Sequence, residues 1–258
     1  MSLARLGRPK FAELPFPEGG RIGRANGRIV LVVRDDTQGH HGQDHGHTHG
    51  AVDPSIATSE ASWVLMTDDP TYTTRALGPY TWDDFATLVE ANNGVWGGCW
   101  CMGFHPEGLD WENASANRDA KRAHVEQGNV HQMLVYADDD CVGWCQYGTA
   151  TELPNIKNPK AYAKDLGSLP DWRIGCIFTD KSHRGQGVAR AAINAALAAI
   201  KEAGGGIVEA YPEQVEGRPP QRGSYLHTGP ETLFEEFGFT RERRIAKWRW
   251  VMRLTVAA

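Results

Sequence analysis

The chain has 258 residues, a length that accommodates one large domain or a medium domain with an appendage. Its 41% hydrophobic residues, 23% charged residues and 9 Trp are typical of a water-soluble protein with a sizeable core. The formal net charge of −5 argues against nucleic-acid and anionic-membrane partners, and the longest apolar runs are too short to span a bilayer. The first residues lack an apolar signal segment, and the five scattered cysteines are typical of reduced thiols. We therefore expect a cytoplasmic protein.

Residues 1–60 differ in composition from the rest, since they are rich in Gly, Pro, Arg, Asp and His and contain one strand-like run, Arg28–Val33. Half of the 10 histidines lie in one tract: His40, His41, His45, His47 and His49. So polar and glycine-rich a tract cannot bury enough surface to order itself, and we expect disorder. Its imidazoles would bind Zn(II) or Ni(II) in vitro, and the sequence leaves a physiological metal role open. Residues 61–258 are predicted to form the folded domain.

Apolar periodicity predicts a regular series of elements after this extension. In chain order they are a strand over 72–78, a helix over 80–94, a polar surface helix over 113–128, a hairpin over 131–148, a strand over 171–180, a long helix after Gly187 that ends at Gly204, a strand over 206–212, a helix over 230–238 and strands over 239–245 and 247–256. This series predicts an α/β domain without internal repeats.

A glycine-containing turn, Arg184-Gly185-Gln186-Gly187, precedes the long alanine-rich helix. A helix start presents unpaired N–H groups and a positive dipole, and glycines allow the main chain to approach an anion, typically a phosphate. The turn lacks the Gly-Lys-Ser/Thr of a Walker A loop, and Arg190 stands where a dinucleotide fingerprint needs a third Gly or Ala. A tight turn without a ligand is the alternative.

The stretch Arg184-Gly185-Gln186-Gly187-Val188-Ala189 resembles the Arg/Gln-x-x-Gly-x-Gly/Ala signature of the GCN5-related N-acetyltransferase (GNAT) family. The later "LFEEFGF", with Gly238 and Phe239, resembles that family's Leu-Tyr-Glu-Lys-x-Gly-Phe ending. The resemblance covers roughly residues 70–258 and is strongest between Trp172 and Phe239. It implies a mixed, largely antiparallel central sheet flanked by helices.

The resemblance also implies a reaction and a cofactor site. Acetyl-CoA would be the co-substrate, its acetyl group passing directly to a primary amine of a small molecule or protein, and a homodimer is compatible with the family. The pyrophosphate would lie on the amides of residues 185–189, and the pantetheine arm on the strand Arg173–Phe178, with a bulge at Gly175. The expected cofactor-binding residues are Cys176, Ile177, Phe178, Arg184, Gly185, Gln186, Gly187, Val188 and Ala189.

The family's usual general acid is absent, because Phe234 occupies the position of its tyrosine. Candidates for a substitute acid are Tyr225, ranked first as a phenol on the segment before the last helix, then His227 and Tyr211. Candidates for the base are Glu209, Glu213, Asp180 and His183, with a water relay as the alternative.

The stretch "VWGGCWCMGFHPEG", residues 95–108, has an unusual density of aromatic side chains: Trp96, Trp100, Phe104 and His105. In the family this connection usually lines the acceptor site, so the insert is either a lid over the acceptor or a hydrophobic plug on the core. Cys99 and Cys101 lie closer together than the usual zinc-ligand spacing, and we predict buried thiols and no metal site there.

Two other functions remain as alternatives. Loss of the tyrosine at Phe234 is compatible with a non-catalytic acyl-CoA-binding sensor or interaction module. The histidine tract is compatible with metal storage or delivery. The acceptor itself is not predictable, because specificity in such folds depends on variable loops.

Overall fold

The computed structural model describes residues 21–25, 28–32, 72–221 and 223–258, and the chain divides into two units, Met1–Ser62 and Trp63–Ala258. In the first unit, β1 (Arg21–Ala25) pairs antiparallel with β2 (Arg28–Val32), which coincides with the strand-like run of the sequence. The histidine tract from His40 to His49 lies outside the described residues. Disorder of residues 1–60, their boundary with a domain at 61–258 and any metal binding by the tract therefore stay predictions.

The second unit contains one seven-stranded sheet. Its strands are β3 (Thr73–Ala76), β4 (His131–Ala137), β5 (Asp140–Thr149), β6 (Trp172–Thr179), β7 (Gly206–Ala210), β8 (Thr240–Ala246) and β9 (Arg249–Val256). They are arranged in the order β3-β4-β5-β6-β7-β9-β8. Within this sheet β6 and β7 run parallel, and every other neighbouring pair is antiparallel.

In the described part of this unit, five α-helices accompany the sheet: α1 (Trp82–Ala91), α2 (Ala114–Glu126), α3 (Pro159–Ala163), α4 (Val188–Glu202) and α5 (Glu231–Glu235). The predicted order of strands and helices is confirmed, with α3 as an addition. Five residues are too few to establish a helical period, so the sequence carried no signal for α3. The predicted class, a mixed and largely antiparallel sheet flanked by helices, is confirmed. Within the described ranges, no helix is both long enough and apolar enough to cross a bilayer.

Two apolar cores lie on opposite faces of the sheet, since side chains alternate between faces along each strand. Trp144 and Phe178 point into the core that α1 covers. Cys145 and Ile177, the next residue of one strand and the preceding residue of the other, point into the core that α4 covers. Helix α4 buries a stripe of side chains there: Val188, Ala192, Ile193, Ala196 and Ile200.

Helix α2 corrects the prediction of a purely polar surface helix. Asn117 and Lys121 on this helix are buried. The Asn117 carboxamide donates hydrogen bonds to the carbonyls of Gly98 and Asp110, which ties α2 to the insert. Composition alone suggested a solvated helix, whereas the polar groups of Asn117 are satisfied by loop backbone that only the tertiary fold brings near.

We expect Ile193→Ala to lower the free energy of unfolding by about 2–5 kcal/mol, because it deletes a fully buried side chain and leaves a cavity. Urea denaturation measures the loss. The matched control is Asn194→Ala on the exposed side of the same helix, which should change stability by less than about 0.5 kcal/mol. Equal effects at both positions would contradict the packing of α4 on the sheet.

Candidate active site

A gap between β6 and β7 creates the candidate site. The two parallel strands pair over three residue pairs, from Trp172↔Val208 to Ile174↔Ala210, and then separate. Beyond Ile174 the segment around the 3₁₀ turn Gly223–Leu226 lies against β6, and the Ile177 amide donates to the carbonyl of His227 at 2.7 Å. Between Ile174 and Thr179, β6 can therefore bind a ligand only through backbone groups that this segment does not contact.

The predicted bulge in β6 is confirmed. Opposite β5, Cys145 pairs with Ile177 and Tyr147 pairs with Ile174, so two residues of β6, Gly175 and Cys176, face one residue of β5. A side chain at Gly175 would lie 3.2 Å from the Phe104 ring, so glycine permits the insert to approach the strand there. The bulge is the point where the sheet, the insert and the gap meet.

The glycine turn has the backbone geometry of an anion site. Gly185 and Gly187 have positive φ values of 74° and 88°, which glycine adopts without strain, and Gly187 is the N-cap of α4. The Gln186 carboxamide donates to the Ser182 carbonyl at 2.9 Å, so the Gln186 side chain stabilises the turn. The backbone carbonyl of Gln186 accepts a hydrogen bond from the Tyr72 hydroxyl. Val188 is buried in the core, so it can offer a ligand only its backbone.

A cavity of about 420 Å³, which we call the loop cavity, lies between the turn and the 3₁₀ segment. Five of the predicted cofactor residues line it: Ile177, Phe178, Arg184, Gly185 and Ala189. Among the described residues Arg184 has no hydrogen-bond or ion-pair partner, so its guanidinium is available to an anion. Trp96 closes one side of this cavity.

A second cavity, of about 330 Å³, lies between the insert and the bulge, and we call it the insert cavity. Trp96 borders both cavities, so the two adjoin at this side chain. The lining is mainly apolar and comprises Trp96, Cys99, Cys101, Gly103, Phe104, Leu109, Trp111, Asn155, Ile156, Lys157, Cys176, Ser224 and His227. Cys176, which we expected among the cofactor residues, lies on this side of the bulge.

Sequence reasoning missed several lining residues of the insert cavity. Trp111 is 72% exposed in the structure. The one sequence signal for it was a further tryptophan shortly after the aromatic insert. Asn155, Ile156 and Lys157 belong to a connection without periodicity, and only the tertiary fold brings them to the cavity.

The aromatic side chains of the insert divide between the insert cavity and the core. Trp96 and Phe104 line the insert cavity, as expected for a lid. Trp100 is buried and stacks on Trp82 with ring centroids 5.9 Å apart, as expected for a plug. His105 is also buried, and it lines neither cavity.

The backbone of the insert is strained. Val95, Trp96, Trp100 and Cys101 all have positive φ values between 45° and 56°, a region that residues other than glycine rarely occupy. Each such residue costs on the order of 1 kcal/mol or more, so the surrounding packing must hold it in place. The packing around Gly98 is tight, because a Cβ there would clash with the Ala114 side chain.

His227 is the predicted catalytic residue that the structure brings to the insert cavity. Its Nδ1–H donates to the carbonyl of Ser224 at 2.9 Å, which leaves Nε2 as the acceptor of the neutral ring. Burial, together with the positive charge of Lys157, lowers the pKa of His227 to about 4. The imidazole is therefore an unprotonated base at neutral pH.

Tyr225, ranked first as the acid, lines neither cavity and is 56% exposed. The 3₁₀ turn that carries it points this side chain into solvent. The Tyr225 hydroxyl therefore cannot donate a proton into either cavity in this structure. Its place in the sequence, shortly before the last helix, does not show which way the side chain points.

Glu209 and Tyr211, two further candidates, belong to a buried polar network outside both cavities. Glu209 is 0% exposed; its Oε2 accepts the hydroxyls of Tyr162 at 2.7 Å and Tyr211 at 2.8 Å, while its Oε1 accepts Arg253 Nη2 at 2.7 Å. Burial raises the pKa of Tyr211 well above its ordinary value. Both oxygens of Glu209 are engaged, so the network joins β7 to β9 rather than serving a substrate.

The remaining base candidates are also engaged elsewhere. Glu213 pairs with Arg249 and Arg218. Asp180 caps the turn after β6 by accepting the Ser182 amide, and the hydrogen bonds from Ser182 lower its pKa to about 2. His183 lies beside Asp180, and none of the three base candidates lines a cavity.

Phe234, at the position of the missing tyrosine, is 0% exposed and packs edge-on against Phe239 at 5.2 Å. A hydroxyl on this ring would enter the core beneath α5, where burial of an unpaired polar group is costly. All five cysteines are free thiols. Among the described residues, no three His, Cys, Asp or Glu side chains are arranged to hold a metal ion.

The family model described as "Acetyltransferase (GNAT) family" matches residues 86–220, which is more than half of the chain. The chain belongs to the GNAT acetyltransferase family. The resemblance found in the glycine turn is thereby confirmed. The matched span includes the insert, the bulge and the start of α4, so both cavities are built mainly from family sequence. No curated protein sequence matches the chain.

The chain is also similar, at low identity, to solved structures of acetyltransferases. A GNAT-family protein from Desulfovibrio desulfuricans is 18% identical, with a TM-score of 0.44, over 72% of this chain and 100% of that one. An HPA2-related acetyltransferase from Corynebacterium glutamicum is 12% identical, with a TM-score of 0.45, over 73% and 98%. NAA60 from Arabidopsis thaliana, solved with acetyl-CoA, is 12% identical, with a TM-score of 0.41, over 72% and 100%.

We expect Glu209→Gln to lower the free energy of unfolding by about 3 kcal/mol, because it removes a fully buried carboxylate charge that pairs with the partly buried Arg253. The folded variant should retain near wild-type transferase activity, since Glu209 lines no cavity. Urea denaturation and an activity assay on the folded fraction measure the two effects. Glu242→Gln, which removes a more exposed partner of the same Arg253, is the control and should cost about 1 kcal/mol or less. Loss of activity in a stable Glu209→Gln variant would restore Glu209 as the base.

Proposed function

We propose that the protein is an acetyl-CoA-dependent N-acetyltransferase that acetylates a primary amine of a small molecule or protein. The observation that carries the proposal is the meeting of two cavities at one strand bulge. The loop cavity lies beside a helix start with an unpaired arginine, and the insert cavity ends at Cys176 of the bulge. Family membership supports the reaction class, and two adjoining cavities support separate sites for the coenzyme and the acceptor.

In this proposal the coenzyme occupies the loop cavity. Its pyrophosphate lies at the start of α4, where backbone N–H groups, the helix dipole and Arg184 favour negative charge. The pantetheine arm runs past Ile177 and Phe178 towards the bulge. The thioester then reaches the insert cavity at Gly175 and Cys176, where an amide freed by the bulge can stabilise the oxyanion of the tetrahedral intermediate.

The amine acceptor occupies the insert cavity, and His227 is the group proposed to receive its proton. The imidazole is held from two sides, by the Ser224 carbonyl on its ring and by the Ile177 amide on its backbone. Its free Nε2 belongs to a side chain that lines the cavity. Lys157 is the one charged side chain of the lining, so an acceptor ammonium finds no carboxylate there and is favoured as the neutral, nucleophilic amine.

A non-catalytic acyl-CoA-binding module is the second candidate. The burial of phenylalanine at the tyrosine position favours it, because the usual acid is absent and the site of that acid is closed. Both candidates bind coenzyme, so they differ in turnover alone. Release of coenzyme A thiol in the presence of an amine panel supports the enzyme, whereas tight binding without release supports the module.

The coenzyme site is tested by Gly185→Glu, which places a carboxylate in the loop cavity. Gly185 has a φ of 74° and open space at its Cβ, so the substitution costs backbone strain but causes no clash. We expect affinity for acetyl-CoA, measured by calorimetry, to fall at least about tenfold, equivalent to roughly 1.4 kcal/mol.

The matched control for that change is Gly217→Glu. Gly217 has a φ of 72° and equally open surroundings but lines neither cavity, so the same backbone strain arises without a charge near the coenzyme. Its affinity for acetyl-CoA should equal that of the natural protein. Unchanged affinity in a folded Gly185→Glu variant would refute the placement of the pyrophosphate.

The base is tested by His227→Phe, which keeps a flat ring and the backbone contact to β6 but removes both ring nitrogens. A positioned base contributes about 10²–10⁴-fold in rate, so we expect kcat to fall by that range while affinity for acetyl-CoA changes little. Tyr225→Phe is the control, because its exposed hydroxyl should be dispensable. A fully active His227→Phe variant would pass the role to water.

A further inference from the structure

The insert cavity combines large apolar side chains with a few polar groups. The apolar part of its lining includes Trp96, Phe104, Leu109, Trp111 and Ile156. The polar side chains of the lining are Asn155, Lys157, Ser224 and His227. A volume of about 330 Å³ lies at the small end of the range of roughly 300–1,000 Å³ that holds small molecules. The lining therefore describes a compact and mainly apolar ligand.

Trp111 presents a flat apolar surface that the described protein does not cover. It is 72% exposed, and among the described residues its ring pairs with no other aromatic ring and no cation. The backbone on both sides is held, because Asp110 Oδ1 accepts the amides of Glu112 at 2.9 Å and Asn113 at 3.0 Å. The Asn117 carboxamide donates to the Asp110 carbonyl at 2.7 Å. An exposed indole on a fixed backbone is a preformed stacking surface for a flat ligand.

Lys157 is the one charged side chain among the described residues of this lining, and it lacks a carboxylate partner there. Among the described residues it forms neither a hydrogen bond nor an ion pair. The segment that carries it is tied to the insert, because the Asn155 amide donates to the Phe104 carbonyl at 3.2 Å and the Asn155 carboxamide donates to the His105 carbonyl. The ammonium is therefore free to pair with an anionic group of a ligand.

Glu213 does not neutralise Lys157, because two arginines already occupy the Glu213 carboxylate. Arg249 pairs with one of its oxygens and Arg218 with the other. Arg249 also donates to the Thr228 hydroxyl at 2.9 Å, one residue beyond the histidine that lines the cavity. Partial burial and the positive charge of Arg249 lower the pKa of Lys157, while the charge of Glu213 raises it. Positive charge thus exceeds negative charge among these groups, and a bound carboxylate would relieve the imbalance.

The same lining disfavours acceptors that carry a second positive charge. Its described residues include no Asp or Glu, so a polyamine or a lysine-rich peptide would bring a further ammonium without a counter-charge. The N-terminus of a protein would offer Lys157 no carboxylate, because the adjoining carboxyl group is part of a peptide bond. The acceptor that fits has one amine, one carboxylate and an apolar body.

We infer that the acceptor is a free amino acid with an aromatic or large apolar side chain. This inference rests on the proposed function and names the acceptor class of the same site. The carboxylate of the amino acid pairs with Lys157, its side chain stacks on Trp111, and its α-amine is directed to His227 and the bulge.

The reaction is direct transfer from coenzyme to acceptor. The neutral α-amine attacks the acetyl carbonyl, a nitrogen–carbon bond forms, and the bond from that carbon to the coenzyme sulfur breaks. His227 takes the amine proton, and coenzyme A leaves as a thiolate that takes a proton from solvent. The product is an N-acetylated amino acid, which has lost the positive charge of its amine and keeps the carboxylate.

The test compares acceptors that differ in one group each. The full chain and acetyl-CoA are mixed with phenylalanine, with phenethylamine, which lacks the carboxylate, with phenylalaninamide, which carries a neutral amide in its place, or with spermidine. Release of coenzyme A thiol gives kcat/KM, and mass spectrometry identifies the product. We expect kcat/KM for phenylalanine to exceed that for each other amine at least about tenfold, the order of magnitude of one hydrogen bond between charged groups.

Variants then assign the preference to its residues. Lys157→Met should reduce the preference for phenylalanine over phenethylamine about tenfold, and Lys157→Arg, which keeps the charge, should retain it. Lys160→Met is the matched control, because this exposed lysine lies three residues further and lines neither cavity, so the preference should be unchanged. Trp111→Ala should lower the preference for phenylalanine over alanine by about 2–10-fold.

The outcomes separate this inference from the proposed function. Equal or better turnover of phenethylamine, phenylalaninamide or spermidine would overturn the inference and leave the N-acetyltransferase in place. A preference for phenylalanine that survives in Lys157→Met would overturn the pairing of the carboxylate with this lysine. Absence of turnover with every amine would overturn the proposed function. In that case calorimetry decides, because phenylalanine that binds the coenzyme A complex and requires Lys157 would support the ligand class, whereas no binding would overturn it.

Discussion

The limited pairing of β6 with β7 is the constraint on which the rest of the site depends. Three parallel residue pairs hold the strands together, and beyond Ile174 the two chains separate because β7 ends at Ala210 while β6 continues to Thr179. A strand with an open edge inside a sheet is costly unless something satisfies its amides. Here the carbonyl of His227 satisfies one of them, and a ligand is expected to use the space that remains.

A polar network borders the gap on one side and the β6 bulge borders it on the other. Glu209 and its tyrosine and arginine partners join β7 to β9 at the closed end of the gap. On the other side, the insert packs against the bulge at Gly175 and Cys176. The Phe104 ring of the insert occupies the space that a side chain at position 175 would need. The strained backbone of the insert is tolerated because Trp100 anchors it against Trp82 in the core.

Lys121 and Cys101 are further buried groups of this region. Burial is the main cause that lowers the pKa of Lys121, and the Trp144 N–H donates to the Cys101 sulfur. The absence of a phenol at Phe234 makes an alternative way of handling the thioester sulfur necessary if the protein turns over.

By itself the sequence determined the elements and the family. The strands and helices were predictable because each is encoded by a local period, and the glycine turn before α4 was predictable because positive φ values and a helix N-terminus have short sequence signatures. The bulge followed from the family resemblance, which placed it at the glycine of β6.

Only the tertiary structure decided which candidate side chains share a cavity. Tyr225 and His227 are two residues apart, yet Tyr225 faces solvent and His227 lines the insert cavity. The chain turns between them, because Tyr225 lies within the 3₁₀ turn Gly223–Leu226 and His227 follows it. Its position on a strand made Glu209 a candidate base, but the side chain is buried and accepts four hydrogen bonds, which is typical of a structural role. Cys101 and Cys176 lie far apart in the chain, and no local pattern relates them; their meeting depends on the bulge and on the packing of the insert, which are properties of long-range contact rather than of sequence period.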